Sequence, residues 1–135
     1  VPLSSREDAF SPGGLVLAAL GGCTGMDTAL IMRKKRVAVD DYQVEVRGEE
    51  REAQPTLYTS IVVEHIVRGT SIDDKAVARA IELSARTYCM VGANLASGDA
   101  EINHRLRIVD DAGERTCDCV TIGPRGEGLS YHEDA

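Results

Sequence analysis

The segment Ser11-Pro12-Gly13-Gly14-Leu15-Val16-Leu17-Ala18-Ala19-Leu20-Gly21-Gly22-Cys23-Thr24 joins a helix start to a nearly unbroken apolar run. Ser11 suits an N-cap, because its hydroxyl accepts a backbone N–H that the first turn leaves unpaired. Pro12 follows at the first helical position, where a missing N–H removes no hydrogen bond. The spacing predicts helix 1 from Pro12 to about Arg36, ending on Arg33-Lys34-Lys35-Arg36, cations suited to the negative end of the helix dipole. Leu15 to Leu20 are apolar around the whole circumference, which implies burial on every side. Gly21 and Gly22 each cost about 1 kcal/mol relative to alanine, and such glycines commonly admit another backbone at close range.

Working outward, Tyr42-Gln43-Val44-Glu45-Val46 alternates with period two and reads as a half-exposed strand. Gly48 to Pro55 reads as a charged turn, and Leu57 to Arg68 as a long strand ended by Gly69. On it Ile61, Val63, His65 and Val67 share one face, with Val62, Glu64, Ile66 and Arg68 on the other. Ser71-Ile72-Asp73-Asp74 has the acidic form of a capping box, opening helix 2. Val77, Ala80, Ile81, Ser84, Tyr88, Val91 and Leu95 recur at helical spacing up to a stop near Gly98. Ile102, His104, Leu106 and Ile108 alternate as another strand; Asp110 to Gly113 reads as a hairpin turn, Arg115 to Ile122 as a short return strand, and the last dozen residues as a polar tail. The expected class is α+β, an antiparallel sheet with two long helices on its face, in a single domain over residues 1–135.

Composition narrows the function classes. The chain has 135 residues, 43% apolar, 27% charged and 4% aromatic, with no Trp and a formal charge of −7. That charge argues against nucleic acid and against attachment to an anionic membrane, both of which need a basic face. Leu15 to Met32 is the candidate membrane span, but Asp27, several glycines and many alanines make it read as a buried core helix. No cationic stretch followed by a cleavage site marks a signal peptide. The chain begins at Val1 rather than Met, which leaves room for residues upstream.

Four cysteines carry the chemical interest: Cys23, Cys89, Cys117 and Cys119. Their spacings match no zinc pattern, and the expected setting is a reducing cytoplasm with functional or simply buried thiols. Cys23 shares a stripe with Val16, Ala19, Leu20, Met26 and Leu30; Cys89 shares one with Ile81, Ala85 and Gly92. If the two helices pack through these faces, the thiols meet; the alternative is that each is a small buried hydrophobe.

The run from Ser11 to Thr24, with Pro12, an aliphatic stretch and small-small-Cys23, resembles the helix-1 signature of the OsmC/Ohr family of thiol-dependent peroxide-resistance proteins. Leu83-Ser84-Ala85-Arg86-Thr87-Tyr88-Cys89-Met90-Val91 resembles the family's second element, and Pro55-Thr56-Leu57-Tyr58-Thr59-Ser60-Ile61 leads into a similar long strand. The resemblance covers about residues 11–109, leaves a C-terminal hairpin and tail over 110–135, and is nearest to the YhfA-like predicted redox branch. It implies an OsmC-like fold built as an intertwined homodimer with the site at the interface. It further implies Cys23 as the peroxidatic and Cys89 as the resolving thiol, linked by a disulfide that an external dithiol such as a dihydrolipoyl group reduces. It implies no metal and no bound organic cofactor. Partners would be a second copy, a small hydroperoxide or hydrophobic ligand, and the dithiol.

Two departures stand out. In the peroxidase branches a Glu follows the Pro and bonds an Arg that activates the thiol; here Gly13 takes that position, and Arg6, Arg33 and Arg86 offer no physical case for the role. The family's N-terminal strands are also missing from the sequence. The retained Cys23 and Cys89 pair favours a thiol peroxidase acting on organic hydroperoxides; the missing Glu favours a non-catalytic small-ligand-binding module, and a thiol–disulfide redox sensor is a further alternative.

Other polar residues carry weaker expectations. Asp27 shares the Cys23 face at i+4; its negative charge would raise a thiol pKa, so it is expected to bond a polar group or lie at the surface. Tyr88 either offers its hydroxyl to the site or fills the core. His65 and His104 are expected to be ordinary sheet histidines rather than bases for a thiol. Cys117 and Cys119 face the same side of a regular strand with Cα atoms about 6.5–7 Å apart, at the edge of disulfide geometry, and are expected to be idle, with soft-metal binding as the alternative.

Overall fold

A computed structural model describes residues 11–130. Helix α1 spans Pro12–Lys34, with the Ser11 hydroxyl accepting the Gly14 N–H at 3.0 Å as expected of the cap. Strands β1 (Val39–Glu50) and β2 (Tyr58–Gly69) follow. Next come α2 (Asp74–Leu83), a π-helical turn over Ser84–Tyr88, and α3 (Met90–Ala96). Strands β3 (Glu101–Asp110) and β4 (Gly113–Ile122) close the fold as a hairpin through the expected turn. The architecture is α+β. Residues 1–10, including Arg6, and the end of the tail at 131–135 lie outside the described residues.

The four strands lie in the order β1-β2-β3-β4. The outer pairs are antiparallel, but β2 and β3 run parallel, with Ile61 opposite Ile102 and His65 opposite Leu106. This corrects the expectation of an antiparallel sheet. Residues 70–100 cross back over one face as helices, and a strand reached by such a crossover pairs parallel. The buried face of the sheet matches the alternation in the sequence: Ile61, Val63, His65 and Val67 of β2, and Ile102, His104, Leu106 and Ile108 of β3. Val77, Ala80 and Ile81 of α2 complete the core above them.

Helix 2 is not one long helix. Asp73 rather than Ser71 caps α2, its Oδ1 accepting the N–H groups of Lys75 and Ala76, while Ser71 turns to the Asp111 carboxylate. The Cys89 N–H then reaches back five residues to the Ser84 carbonyl at 2.8 Å, and Cys89 itself is extended at φ −76° and ψ 101°. A π turn inserts one residue into the helical count and shifts the phase of the side chains beyond it. Tyr88 accordingly points out at 61% exposure and does not fill the core.

α1 also differs from expectation. Only the stripe Leu20, Thr24, Thr28 and Met32 is buried, so the helix is covered on one side rather than all round. Gly21 does admit β1 closely: a Cβ there would come within 3.0 Å of Val46 Cγ2. Among the described residues, nothing would meet a Cβ at Gly22 within 4 Å. α1 is long and apolar enough to cross a membrane by length and composition, and only 22% of its apolar window is buried, so the helix is not the buried core helix that its sequence led us to expect.

The described part of the tail is folded. Gly123, at φ +77°, starts a turn in which the Arg125 and Gly126 N–H groups donate to the Gly98 and Ala96 carbonyls at 2.8 and 2.7 Å. Leu129 is thereby buried in the core, which a reading by polarity alone misses.

Candidate thiol site

The site forms where α1 meets the break between the π turn and α3. Cys23 is half-buried on α1; Cys89 is buried and serves as N-cap of α3. Cys23 Sγ, Cys89 Sγ and a carboxylate oxygen of Asp27 all lie within 4.8 Å of one another. The two thiols far apart in the chain are thus neighbours, and both are free.

Cys89 is set by its backbone. An extended residue ends the π turn, and its Sγ accepts the Gly92 N–H at 3.3 Å in the position an N-cap oxygen would take. Burial pushes the Cys89 thiol up to about 12; the Gly92 N–H opposes this, and the neighbouring Cys23 and Asp27 add to it. At neutral pH Cys89 is a protonated thiol, while Cys23 is the one that solvent can reach.

Beneath the thiols lies a directed polar seam. Ser84 Oγ donates to Asp27 Oδ2 at 3.0 Å, and Thr24 Oγ1 lies 3.0 Å from Ser84 Oγ. A carboxylate oxygen only accepts, so Ser84 spends its proton on Asp27 and must itself accept from Thr24. Thr24 and Ser84 are fully buried. Asp27 therefore bonds a polar group, one of its two expected roles, and its charge raises the Cys89 thiol as electrostatics requires.

A second buried polar row runs through the sheet. The Tyr42 hydroxyl lies 2.6 Å from His65 Nδ1, and His65 Nε2 lies 3.0 Å from His104 Nδ1. Thr28, one turn after Thr24, is close to the Tyr42 hydroxyl but makes no regular hydrogen bond among the described residues. Burial holds His65 down to about 3, helped by His104, and His104 down to about 4, so both rings are neutral. They bond each other and Tyr42 and do not face the thiols as bases.

The remaining candidates have other partners or settings. Arg86, on the π turn, donates from Nη1 to the Gly128 carbonyl, and Arg33 is exposed with the basic end of α1. Cys117 is exposed and Cys119 half-buried, at a break in register where His104 pairs with Val120 but Arg105 with Asp118. The bulge disturbs the simple alternation expected there. Burial and the neighbouring Cys117 push the Cys119 thiol up to about 12.

Thr24, the role of Ser84 and the bonding of Tyr42 to His65 and of His65 to His104 are not foreseen by the sequence reading, although it singles out both histidines. One signal was present: Thr24 and Thr28 sit at i and i+4 between Leu20 and Met32, a polar seam inside an apolar stripe.

The chain is similar to known proteins. A family model described as OsmC-like protein matches residues 5–105. Protein YhfA of Escherichia coli (strain K12) is 41% identical over 106 residues, 78% of each chain. A hypothetical protein from Aquifex aeolicus VF5 has a crystal structure that superposes with a TM-score of 0.69 at 29% identity, covering 78% of each chain. An organic hydroperoxide resistance protein OsmC from Legionella pneumophila, described as a predicted redox protein and regulator of sulfide bond formation, shares the fold with a TM-score of 0.60 at 10% identity, over 75% of this chain and 72% of its own. With most of its length matched by the family model and a relative of this identity beside it, the chain belongs to the OsmC-like protein family.

Proposed function

We propose that the chain is a thiol-dependent redox protein that reduces hydroperoxides, organic ones in particular, through Cys23 and Cys89. The observation that carries this reading is the pairing of a half-exposed thiol with a buried, protonated one within 4.8 Å. As thiolate, Cys23 attacks the distal oxygen of ROOH; the O–O bond breaks, Cys23 becomes a sulfenic acid, and the alkoxide leaves as ROH after taking a proton. Cys89 then condenses with the sulfenic acid, forming the Cys23–Cys89 disulfide and releasing water. An external dithiol reduces the disulfide and is itself oxidised. Family membership supports a redox or peroxide-related role, and the name of the Legionella relative agrees with it. A reducing compartment such as the cytoplasm would keep the resting thiols free.

The working unit in this reading is a homodimer. α1 leaves Met26 77% and Leu30 50% exposed, and Met90 beside Cys89 is 70% exposed. Apolar side chains gathered around a reactive pair favour a partner that covers them and excludes water.

A second reading, a small-ligand-binding module, is favoured by a different observation. An open cleft of about 690 Å³ lies at the start of α1 between Val16, Leu57, Tyr58 and Leu95, away from the thiols. Gly13, where peroxidase branches carry Glu, lines it, and a Cβ there would come within 2.8 Å of the Tyr58 hydroxyl. Stoichiometric cumene hydroperoxide followed by intact mass and peptide mapping separates the two. Loss of two hydrogens mapped to a Cys23–Cys89 bridge, with turnover on a dithiol, is expected; two thiols still reduced after several equivalents would leave the binding module standing.

A further inference from the structure

We propose that the reduced chain binds a thiophilic divalent cation, zinc in the first place, between Cys23 Sγ, Cys89 Sγ and a carboxylate oxygen of Asp27. These three atoms lie within 4.8 Å of one another. A cation at the centre of such a triangle sits within about 2.8 Å of each, so side-chain adjustments of about half an ångström reach the ~2.3 Å Zn–S and ~2.1 Å Zn–O distances. Cys23 and Asp27 are half-buried and have room to make that adjustment, whereas Cys89 is held in place.

The ligands already carry the outer partners that a metal site uses. Ser84 orients the Asp27 carboxylate through Oδ2, with Thr24 holding Ser84 in turn. The Gly92 N–H on Cys89 Sγ favours the thiolate that a cation requires. Two sulfurs with one carboxylate select a borderline-soft ion over magnesium or calcium, which take oxygen ligands. Three protein ligands leave a fourth position for water.

Linear spacing gives no hint of this set, because Cys23 and Asp27 share a helix turn while Cys89 arrives from the break in helix 2. Binding displaces the thiol protons, so affinity falls as pH falls. It also needs both sulfurs reduced, so the cation and a Cys23–Cys89 disulfide exclude each other. The inference does not depend on peroxide chemistry, and its test uses no peroxide.

The whole chain, fully reduced, is titrated with Cd²⁺ as the probe, reading the sulfur-to-cadmium absorption in the ultraviolet, then back-titrated with Zn²⁺. The expected result is saturation at one cation per chain, reversed by zinc. The band should persist in the Cys117→Ser/Cys119→Ser protein and vanish in Cys23→Ser and in Cys89→Ser. The isosteric Asp27→Asn variant should bind about tenfold more weakly or worse. The cadmium NMR shift of the wild-type protein reads the two-sulfur, oxygen-containing ligand set directly and needs no variant to fold. A band that survives loss of Cys23 or Cys89, a band lost with Cys117 and Cys119, wild-type affinity in Asp27→Asn, or a sulfur-only cadmium shift would each overturn the proposal.

Discussion

Ser84 on the π turn donates its hydroxyl proton to Asp27 on α1 at 3.0 Å, and this contact pins the broken second helix to the first. It adds a side-chain tie between the two helices to the backbone bonds that hold Cys89 itself. Ser84→Ala removes the bridge and leaves the buried Thr24 and the half-buried Asp27 each short of a partner. The expected cost is about 1–3 kcal/mol in urea unfolding. A loss below about 0.5 kcal/mol would mean that packing alone holds the helices in place.

Asp27 also acts on the thiols through its charge. It is one of the groups that push the Cys89 thiol up to about 12. Asp27→Asn removes that charge, so the Cys89 pKa should fall and its alkylation by iodoacetamide at alkaline pH should quicken by about two- to fivefold. An unchanged or slower rate, followed residue by residue in mass spectra, would remove Asp27 from the electrostatics of the site.

His65 and His104 impose a pH dependence with a definite sign. Their pKa values are about 3 and 4 in the fold, below the ordinary value of 6.5. The unfolded chain therefore binds protons that the native chain does not, starting near pH 6.5 and continuing down to the folded values. Stability is full above that range and declines as pH falls, by up to about 1.4 kcal/mol per pH unit for each ring. Asp110, held low by Arg115, loses its contribution only nearer the ordinary carboxylate range. A slope between pH 6.5 and 5 therefore belongs to the histidines, and a flat unfolding free energy across that window would contradict their neutral burial.

The same row fixes a tautomer. A phenol O–H donates well to an imidazole nitrogen, so Tyr42 donates to His65 Nδ1, and His65 Nε2–H donates to His104 Nδ1. Both rings should carry the proton on Nε2 in nitrogen NMR spectra. Tyr42→Phe leaves His65 Nδ1 unpaired and should cost about 1–3 kcal/mol. A proton on Nδ1 of either ring would reverse the chain of donors.

The exposed face of α1 gives a prediction about assembly. Met26→Glu with Leu30→Glu places charge on the face proposed to meet a second copy. The wild-type chain should sediment as a dimer at micromolar concentration and the double variant as a monomer. A monomeric wild type would leave the apolar face unexplained by self-association.

Much of this was legible in the sequence. Ser11 and Pro12 announced the start of α1, the alternation in β2 and β3 gave the buried face, and Cys23 and Cys89 stood out as the pair to watch. The features that escaped depended on contacts across the chain. Period two cannot tell a parallel from an antiparallel neighbour, so the direction of β3 against β2 was missed. A π turn has no signature in hydrophobic spacing, so Tyr88 was read on the wrong face. Ser84 looked like one more small residue on a helical stripe, because its worth lies in Asp27 and Thr24 on another helix.

The central claim is a division of labour between two thiols, and trapping the sulfenic acid tests it most directly. The Cys89→Ser chain is treated with one equivalent of cumene hydroperoxide in the presence of dimedone, alongside Cys23→Ser, and each adduct is mapped. The account predicts a dimedone adduct on Cys23 in the first variant and none on Cys89 in the second. An adduct on Cys89, or a Cys23 that stays reduced after several equivalents, would contradict it.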